Sequence, residues 1–347
     1  MAHVCSLATA NPPRYATSKE ACQAYSTQFD LEPAEQRLYE RILLNGGMLG
    51  RYVGIDDDRE VRETCPDRLL ERFLRHGLRM AVEAGQKAVA EAGMAPGDVG
   101  GLVVNTCTGY LCPGLSSYVA EALGLNSAIK VLDLMGMGCG AAVPNLECAA
   151  ALATRDGGKP VLSIAVEVCS ATIFMGPEPD LIVSNCIFGD GAAAAIVGDG
   201  SKPLVRLVDF ESGLFPEHRD ALRYRTQGGR LRNTLSKDVP DIGAAAVAQV
   251  ARRLLARRGL SEGDVAWWVV HPGGTLVLDR VEAALRLPPE ALRFSREIFR
   301  DFGNMSSPSV LFVLRRILDA GRPTPGDKGL LLSFGAGFTA FAALVEF

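Results

Sequence analysis

Three residues stand where their types could do chemistry together. Cys139 lies in LDLMGMGCGAAVPNLECAAALA, where an apolar strand, a turn carrying Gly136 and Gly138, and an alanine-rich helical stretch follow in order. That order sets the thiol near a helix N-terminus. There the helix dipole favours thiolate over thiol, and a neighbouring imidazolium would depress the thiol pKa further. His271 ends the apolar strand WWVV and is followed at once by Pro-Gly-Gly. A strand that stops at a glycine turn is a rigid platform for a side chain that titrates near neutral pH. The other histidines are less promising: His3 is terminal, His76 lies in a charged helical stretch, and His218 in the polar loop FPEHRD. Asn304, in DFGNMSSPSVLFVLRRILDAG, follows a glycine at the entrance to an apolar helix, where its amide could donate to a developing enolate or oxyanion. Each residue alone also has a structural reading: a buried cysteine among small residues, a capped histidine, a turn asparagine.

The elements that must position these residues show an internal repeat. GMAPGDVGGLVVN from Gly93 aligns without gaps on GLSEGDVAWWVVH from Gly259, with the Gly, the Gly-Asp-Val triplet and the Val-Val pair identical. Each copy follows an alanine-rich amphipathic helix, roughly 78–92 and 242–258, and enters a short apolar run ending in turn residues. FGDGAAAAIVG from Phe188 and FGAGFTAFAALV from Phe334 form a second, weaker pair. Helix, loop, strand and turn recurring in one order predict two similar α/β halves packed in layers. GDGSKP interrupts the pattern, so the expected halves are 1–201, carrying Cys139, and 202–347, carrying His271 and Asn304.

Composition narrows the function. The chain is 48% hydrophobic and 22% charged, with a formal net charge of -4, which gives no electrostatic footprint for nucleic acid. No run of eighteen apolar residues occurs, so no membrane span is expected. The start MAHVCSLATANPPRYATSKE has neither a basic n-region nor an apolar h-region, and with an odd count of nine cysteines it points to reduced thiols in the cytoplasm. No cysteine falls in a CxxC pair, so no metal site is expected. Arg252, Arg253, Arg257 and Arg258 could contact phosphate, but read first as a solvated helix face.

GCGAA at Cys139, HPGG at His271 and GNMSS at Asn304, taken together, resemble the Cys-His-Asn active site of chalcone-synthase-like, type III polyketide synthases. The similarity continues through VEVCS from Val166, FGDGAAAAIVG, LSKDVP from Leu235 and SFGAGFT from Ser333. The resemblance implies a duplicated thiolase-like fold of five α-β-α-β-α layers, which would account for the repeat. It implies that Cys139 takes the starter acyl group, and that His271 holds the thiolate. His271 and Asn304 would then bind the malonyl thioester carbonyl as carbon dioxide leaves. The enolate condenses with the acyl-cysteine, and the product cyclises to a pyrone or phenol. No cofactor is implied. The substrates are an acyl starter, on coenzyme A or an acyl carrier protein, and malonyl-CoA.

The resemblance also implies a homodimer, through the region around Gly114 to Leu123, with Cys112 reaching toward the partner's cavity. Phe188 matches one gatekeeper phenylalanine of the family, and Asn233 stands where plant members have a second. A smaller gate there predicts a longer or bulkier acyl chain. Cys107 and Thr108 match positions lining the acyl pocket, and Gly335-Ala336-Gly337 matches the C-terminal loop, with alanine in place of the plant proline. Of the basic residues expected at the coenzyme A entrance, only Arg41 is well placed. The alternative is a ketoacyl synthase III-like enzyme making a single condensation. A degradative thiolase needs a late second cysteine, and none follows Cys186.

Overall fold

Alternation of side chains along the strands divides the molecule into layers. The computed structural model describes residues 2–155, 158–200 and 203–347. Its strands are β1 (His3–Ala10), β2 (Tyr15–Thr17), β3 (Gly50–Tyr52), β4 (Gly101–Asn105), β5 (Lys130–Leu134), β6 (Val161–Val168) and β7 (Asp190–Gly198). They continue with β8 (Val205–Leu214), β9 (Leu222–Gln227), β10 (Arg230–Leu235), β11 (Trp267–Val270), β12 (Lys328–Gly335) and β13 (Thr339–Glu346). Nine of them form one sheet in the order β11-β12-β13-β8-β1-β7-β6-β4-β5. In β6 and β7, Leu162, Ile164, Ala192 and Ala194 pack under the helices Pro66–Glu91 and Leu115–Leu123. Their alternates Ala165, Ala193 and Ala195 face a central layer made by the helices Ala142–Ala153 and Ser309–Arg316. From the other side, Leu331 and Ala343 face the same central helices, while Leu330, Leu332 and Leu344 pack under the helices Val239–Arg257 and Thr275–Leu285. Strands covered on both faces read as continuous apolar runs, which is why AAAAIV carries no polar residue.

The two copies of the repeat occupy matching places. β4 runs parallel to β6, which pairs antiparallel with β7, and β7 with β1. β11 runs parallel to β12, which pairs antiparallel with β13, and β13 with β8. The identical residues have identical work. Gly93 and Gly259 both adopt φ +67° just past a helix, where a side chain would be strained. Asp98 accepts from the Ala95 N–H and Asp264 from the Ser261 N–H, each at 2.8 Å, and each closes a single helical turn. Val99 and Val265 are then buried.

Some boundaries differ from the sequence reading. The first repeat helix begins at Pro66 rather than near residue 78, because its charged early turns still bury Leu69, Arg72 and Phe73. The division expected between 201 and 202 falls outside the described residues. The four arginines of the helix Val239–Arg257 and its end are neutralised: Arg257 and Arg258 pair with Asp209, Arg253 with Glu211, and Arg252 with Glu262. No helix is long and apolar enough to cross a membrane among the described residues.

Candidate active site

Cys139 sits in a single 3-10 turn, Gly138–Gly140, just before the central helix Ala142–Ala153. The turn is pressed against the end of β12. A Cβ on Gly335 would lie 2.0 Å from the Met137 carbonyl oxygen and 2.6 Å from the Gly140 nitrogen, so only glycine permits this contact. Ser333 Oγ donates to the Gly140 carbonyl at 3.1 Å and ties the same two segments. Burial pushes the Cys139 thiol up to about 12, against a lowering hydrogen bond from Ser306. The expectation that a helix N-terminus would depress this pKa is therefore corrected. Desolvation outweighs it, because the thiol is buried at the floor of a cavity.

His271 follows β11 directly, with its backbone N–H donating to the Leu332 carbonyl at 2.8 Å. Its ring stands edge-on to Phe334 at 6.2 Å between centroids, and burial alone lowers its pKa to about 3. Nδ1 is buried without a hydrogen-bond partner among the described residues, so no carboxylate raises the basicity of this imidazole. Asn304 is fixed at its amide oxygen, which accepts from the Ser306 N–H at 2.8 Å. That leaves the NH2 group to point elsewhere; one N–H meets the Gly273 carbonyl at 3.3 Å and the other is free to donate. The Asn304 backbone is held on both sides, donating to the Ile187 carbonyl at 2.8 Å and accepting from the Gly189 N–H at 2.9 Å.

Cys139, His271 and Asn304 all line one cavity of about 650 Å³, with an apolar wall that includes Phe188, Leu276 and Phe334. Arg41 and Lys237 are cationic residues of the same wall. Cys139 also borders a second, smaller cavity, the inner one, of about 30 Å³, lined by Cys107, Phe188, Tyr224, Asn233, Ser306 and Ala336 among others. Phe188 borders both. Asn233, the expected second gate position, is on the wall of this inner cavity. It is 5% exposed, its amide donates to Ser184 Oγ at 3.0 Å, and Tyr224 lines the same cavity. Thr108 turns away from the cavities: its hydroxyl donates to Glu167 and accepts from the Val168 N–H, each at 2.9 Å. Gly335 and Gly337 shape the backbone, and of that loop Ala336 reaches the inner cavity.

Several residues escaped the sequence reading. Glu167 is fully buried and accepts from Thr106 Oγ1 at 3.2 Å, the Cys107 N–H at 2.9 Å and Ser307 Oγ at 2.6 Å. Burial raises its carboxyl pKa against these donors. One signal was available, a lone carboxylate inside the apolar run VLSIAVEV. Ser306, Tyr224 and Arg51 carried no comparable signal.

Comparison with known proteins shows the family of the chain. Residues 207–346 match the chalcone and stilbene synthase C-terminal domain, and residues 10–260 match the FAE1/type III polyketide synthase-like family. The chain is 33% identical over 339 residues to 3,5-dihydroxyphenylacetyl-CoA synthase of Streptomyces toyocaensis, covering 93% of this chain and 86% of the relative. Its counterpart in Amycolatopsis balhimycina is 32% identical over 330 residues, covering 92% and 88%. Among solved structures, PKS-I of the brown alga Ectocarpus siliculosus superposes with TM-score 0.92 at 28% identity, covering 99% of this chain and 98% of that one. The 1,3,6,8-tetrahydroxynaphthalene synthase of Streptomyces coelicolor A3(2) gives 0.90 at 27% identity, covering 99% of each. The fold is the α/β thiolase-like fold of these enzymes, and the chain belongs to the type III polyketide synthase family, with chalcone and stilbene synthases. It is an acyltransferase that condenses malonyl-CoA decarboxylatively and repeatedly onto an acyl-CoA starter, and the ketoacyl synthase III alternative falls away.

Proposed function

We propose that Cys139, His271 and Asn304 carry this reaction, and that the chain builds a small phenolic product from a short starter. The observation behind it is that all three residues line one cavity, and that Cys139 also borders a chamber of about 30 Å³. The Cys139 proton passes to His271, the thiolate attacks the starter thioester, and coenzyme A leaves with a proton. A malonyl thioester then enters, with its carbonyl oxygen toward His271 and the free Asn304 N–H. Loss of carbon dioxide leaves an enolate whose negative oxygen those donors stabilise, far better in a dry pocket than in water. The enolate carbon attacks the acyl carbonyl, breaks the carbon–sulfur bond and releases the thiolate.

The inner chamber holds roughly one or two water molecules. A two- or three-carbon acyl group suits it, whereas a small residue at Asn233 suits a longer one, and the starter series below decides between them. Relatives whose names specify 3,5-dihydroxyphenylacetyl-CoA support a product assembled from small acyl units. Arg41 and Lys237 flank the entrance, which supports delivery on coenzyme A. We further place the protein in the cytoplasm, since all nine cysteines are free thiols, and divide it into two halves near 201–202. A homodimer is supported by β5, an edge strand whose Val131 and Leu132 are exposed, beside exposed Met135, Tyr110 and Cys112. Incubation with malonyl-CoA and a series of starters, with products read by mass spectrometry, tests the reading. Preferred use of starters of eight or more carbons would overturn the short-starter part.

A further inference from the structure

Arg51, in β3, is a buried guanidinium with no carboxylate bonded to it among the described residues. It is 4% exposed, and its partners are backbone: Nη1 donates to the Cys186 carbonyl and Nη2 to the Asn185 carbonyl at 2.6 Å. Those carbonyls belong to the last turn of the helix Pro179–Ile187, whose final C=O groups have no intrahelical partner. A cation there also meets the negative end of the helix dipole. The next residues, Ile187 to Gly189, are the ones that clamp the Asn304 backbone from both sides. Beyond them Asp190 accepts from the Gly54 N–H of the same segment at 2.6 Å, and from the Ser170 N–H of another turn at 2.8 Å. The strip 51–54 thus holds the turn 187–189 at both ends. Arg51 also packs directly beneath it: a Cβ on Gly189 would meet Arg51 Cβ at 3.2 Å, and one on Gly303 at 3.5 Å.

We infer that Arg51 is a positioning residue for the decarboxylation half of the cycle, setting Asn304 and Phe188 by fixing the end of the helix Pro179–Ile187. This rests on the role proposed above for Asn304. Acyl loading needs Cys139 and His271, which sit on other elements, so loss of Arg51 should separate the two half-reactions.

The test compares Arg51→Gln, Arg51→Lys and Asn304→Ala with the unaltered enzyme. Loading is read as acyl adduct on the intact protein, and decarboxylation as acetyl-CoA formed from malonyl-CoA, beside a melting curve. The expected result for Arg51→Gln is loading within about twofold of the parent and decarboxylation reduced tenfold or more, with Arg51→Lys recovering part of the loss. Equal loss of both half-reactions, unchanged decarboxylation, or failure of both Arg51 variants to fold would overturn the proposal. If Asn304→Ala keeps full decarboxylation, the role of Asn304 is what fails. If Asn304→Ala loses it and Arg51→Gln does not, Arg51 alone is refuted.

Discussion

The two chambers that meet at Cys139 differ most in size. The outer one is about 650 Å³, walled by apolar side chains from several elements, with Arg41 and Lys237 on its wall. The inner one is about 30 Å³ and is bordered by Cys107, Ser306, Tyr224 and Asn233 among others, yet its surface is mostly apolar as well. A roomy apolar passage suits a long carrier arm that must enter and leave at every extension. A tight chamber suits a short acyl group. Phe188 borders both, and its neighbours Ile187 and Gly189 hydrogen-bond the Asn304 backbone. On the proposed short starter, the difference teaches that size selection belongs to the small chamber and traffic to the large one.

The most severe way to break this comparison is to remove the point where the chambers meet. Cys139→Ala should abolish acyl loading, because neither His271 nor Asn304 can replace a thiolate nucleophile. Some malonyl decarboxylation should survive, since the enolate donors remain in the outer chamber. Intact-protein mass spectrometry decides it, and a catalytically competent adduct on another cysteine would refute the assignment.

His271 is the next test. Burial raises the thiol to about 12 and lowers the imidazole to about 3, so each resists carrying a charge alone. Proton transfer between them creates both charges together, and their attraction in a low dielectric offsets part of that cost. In His271→Ala the thiol stands alone with its raised pKa. Below that pKa its thiolate fraction grows about tenfold per pH unit. Alkylation of Cys139 by iodoacetamide should therefore rise steadily across pH 6–10 in the variant, and be far slower than the parent at pH 7. Equal rates at pH 7 would show that His271 does not supply the thiolate.

The same contrast explains what the sequence made legible. The outer chamber is built from signals that survive in one dimension: a cysteine between a glycine turn and an alanine helix, a histidine at a strand end before Pro-Gly-Gly. The repeat was visible because Gly93 and Gly259 need a left-handed backbone and Asp98 and Asp264 close the same turn. The inner chamber was not legible. Its walls come from β10, from the loop at Cys107 and from Ser306, which no local pattern brings together. Whether Asn233 opens or closes a gate depends on Ser184, 49 residues away in sequence. The thiol pKa was misjudged for a similar reason, since a helix terminus can be seen in sequence and burial by distant elements cannot.

A gentler test concerns the proposed dimer, in which residues at the matched position of Cys112 would reach the partner's cavity. Leu132→Glu places a charge on the exposed apolar edge of β5 and should shift light scattering toward monomer, while the melting temperature changes little because Leu132 is exposed. Turnover should fall severalfold if the partner completes the inner chamber. A variant that is monomeric and fully active would confine the shared cavity to one chain.

The smallest expected effect is at Asn233. A phenylalanine there must fit beside Tyr224 in a chamber of about 30 Å³, and it also deletes the amide that donates to Ser184. Overpacking costs about 1–3 kcal/mol and the lost hydrogen bond about 1 kcal/mol. If that cost appears as stability alone, Asn233→Phe lowers the melting temperature and slows every starter alike. If the ring instead intrudes on the acyl group, discrimination follows carbon number: acetyl starters keep most of their rate, and butyryl or hexanoyl starters lose an order of magnitude, since about 1.4 kcal/mol is tenfold. The chamber's size favours the second outcome, because its free volume already matches only a few heavy atoms. Rates for a graded set of acyl-CoA starters, measured with the melting curve, separate the two. A uniform loss would mean that size selection resides in front of Cys139, which inverts the assignment of the two chambers.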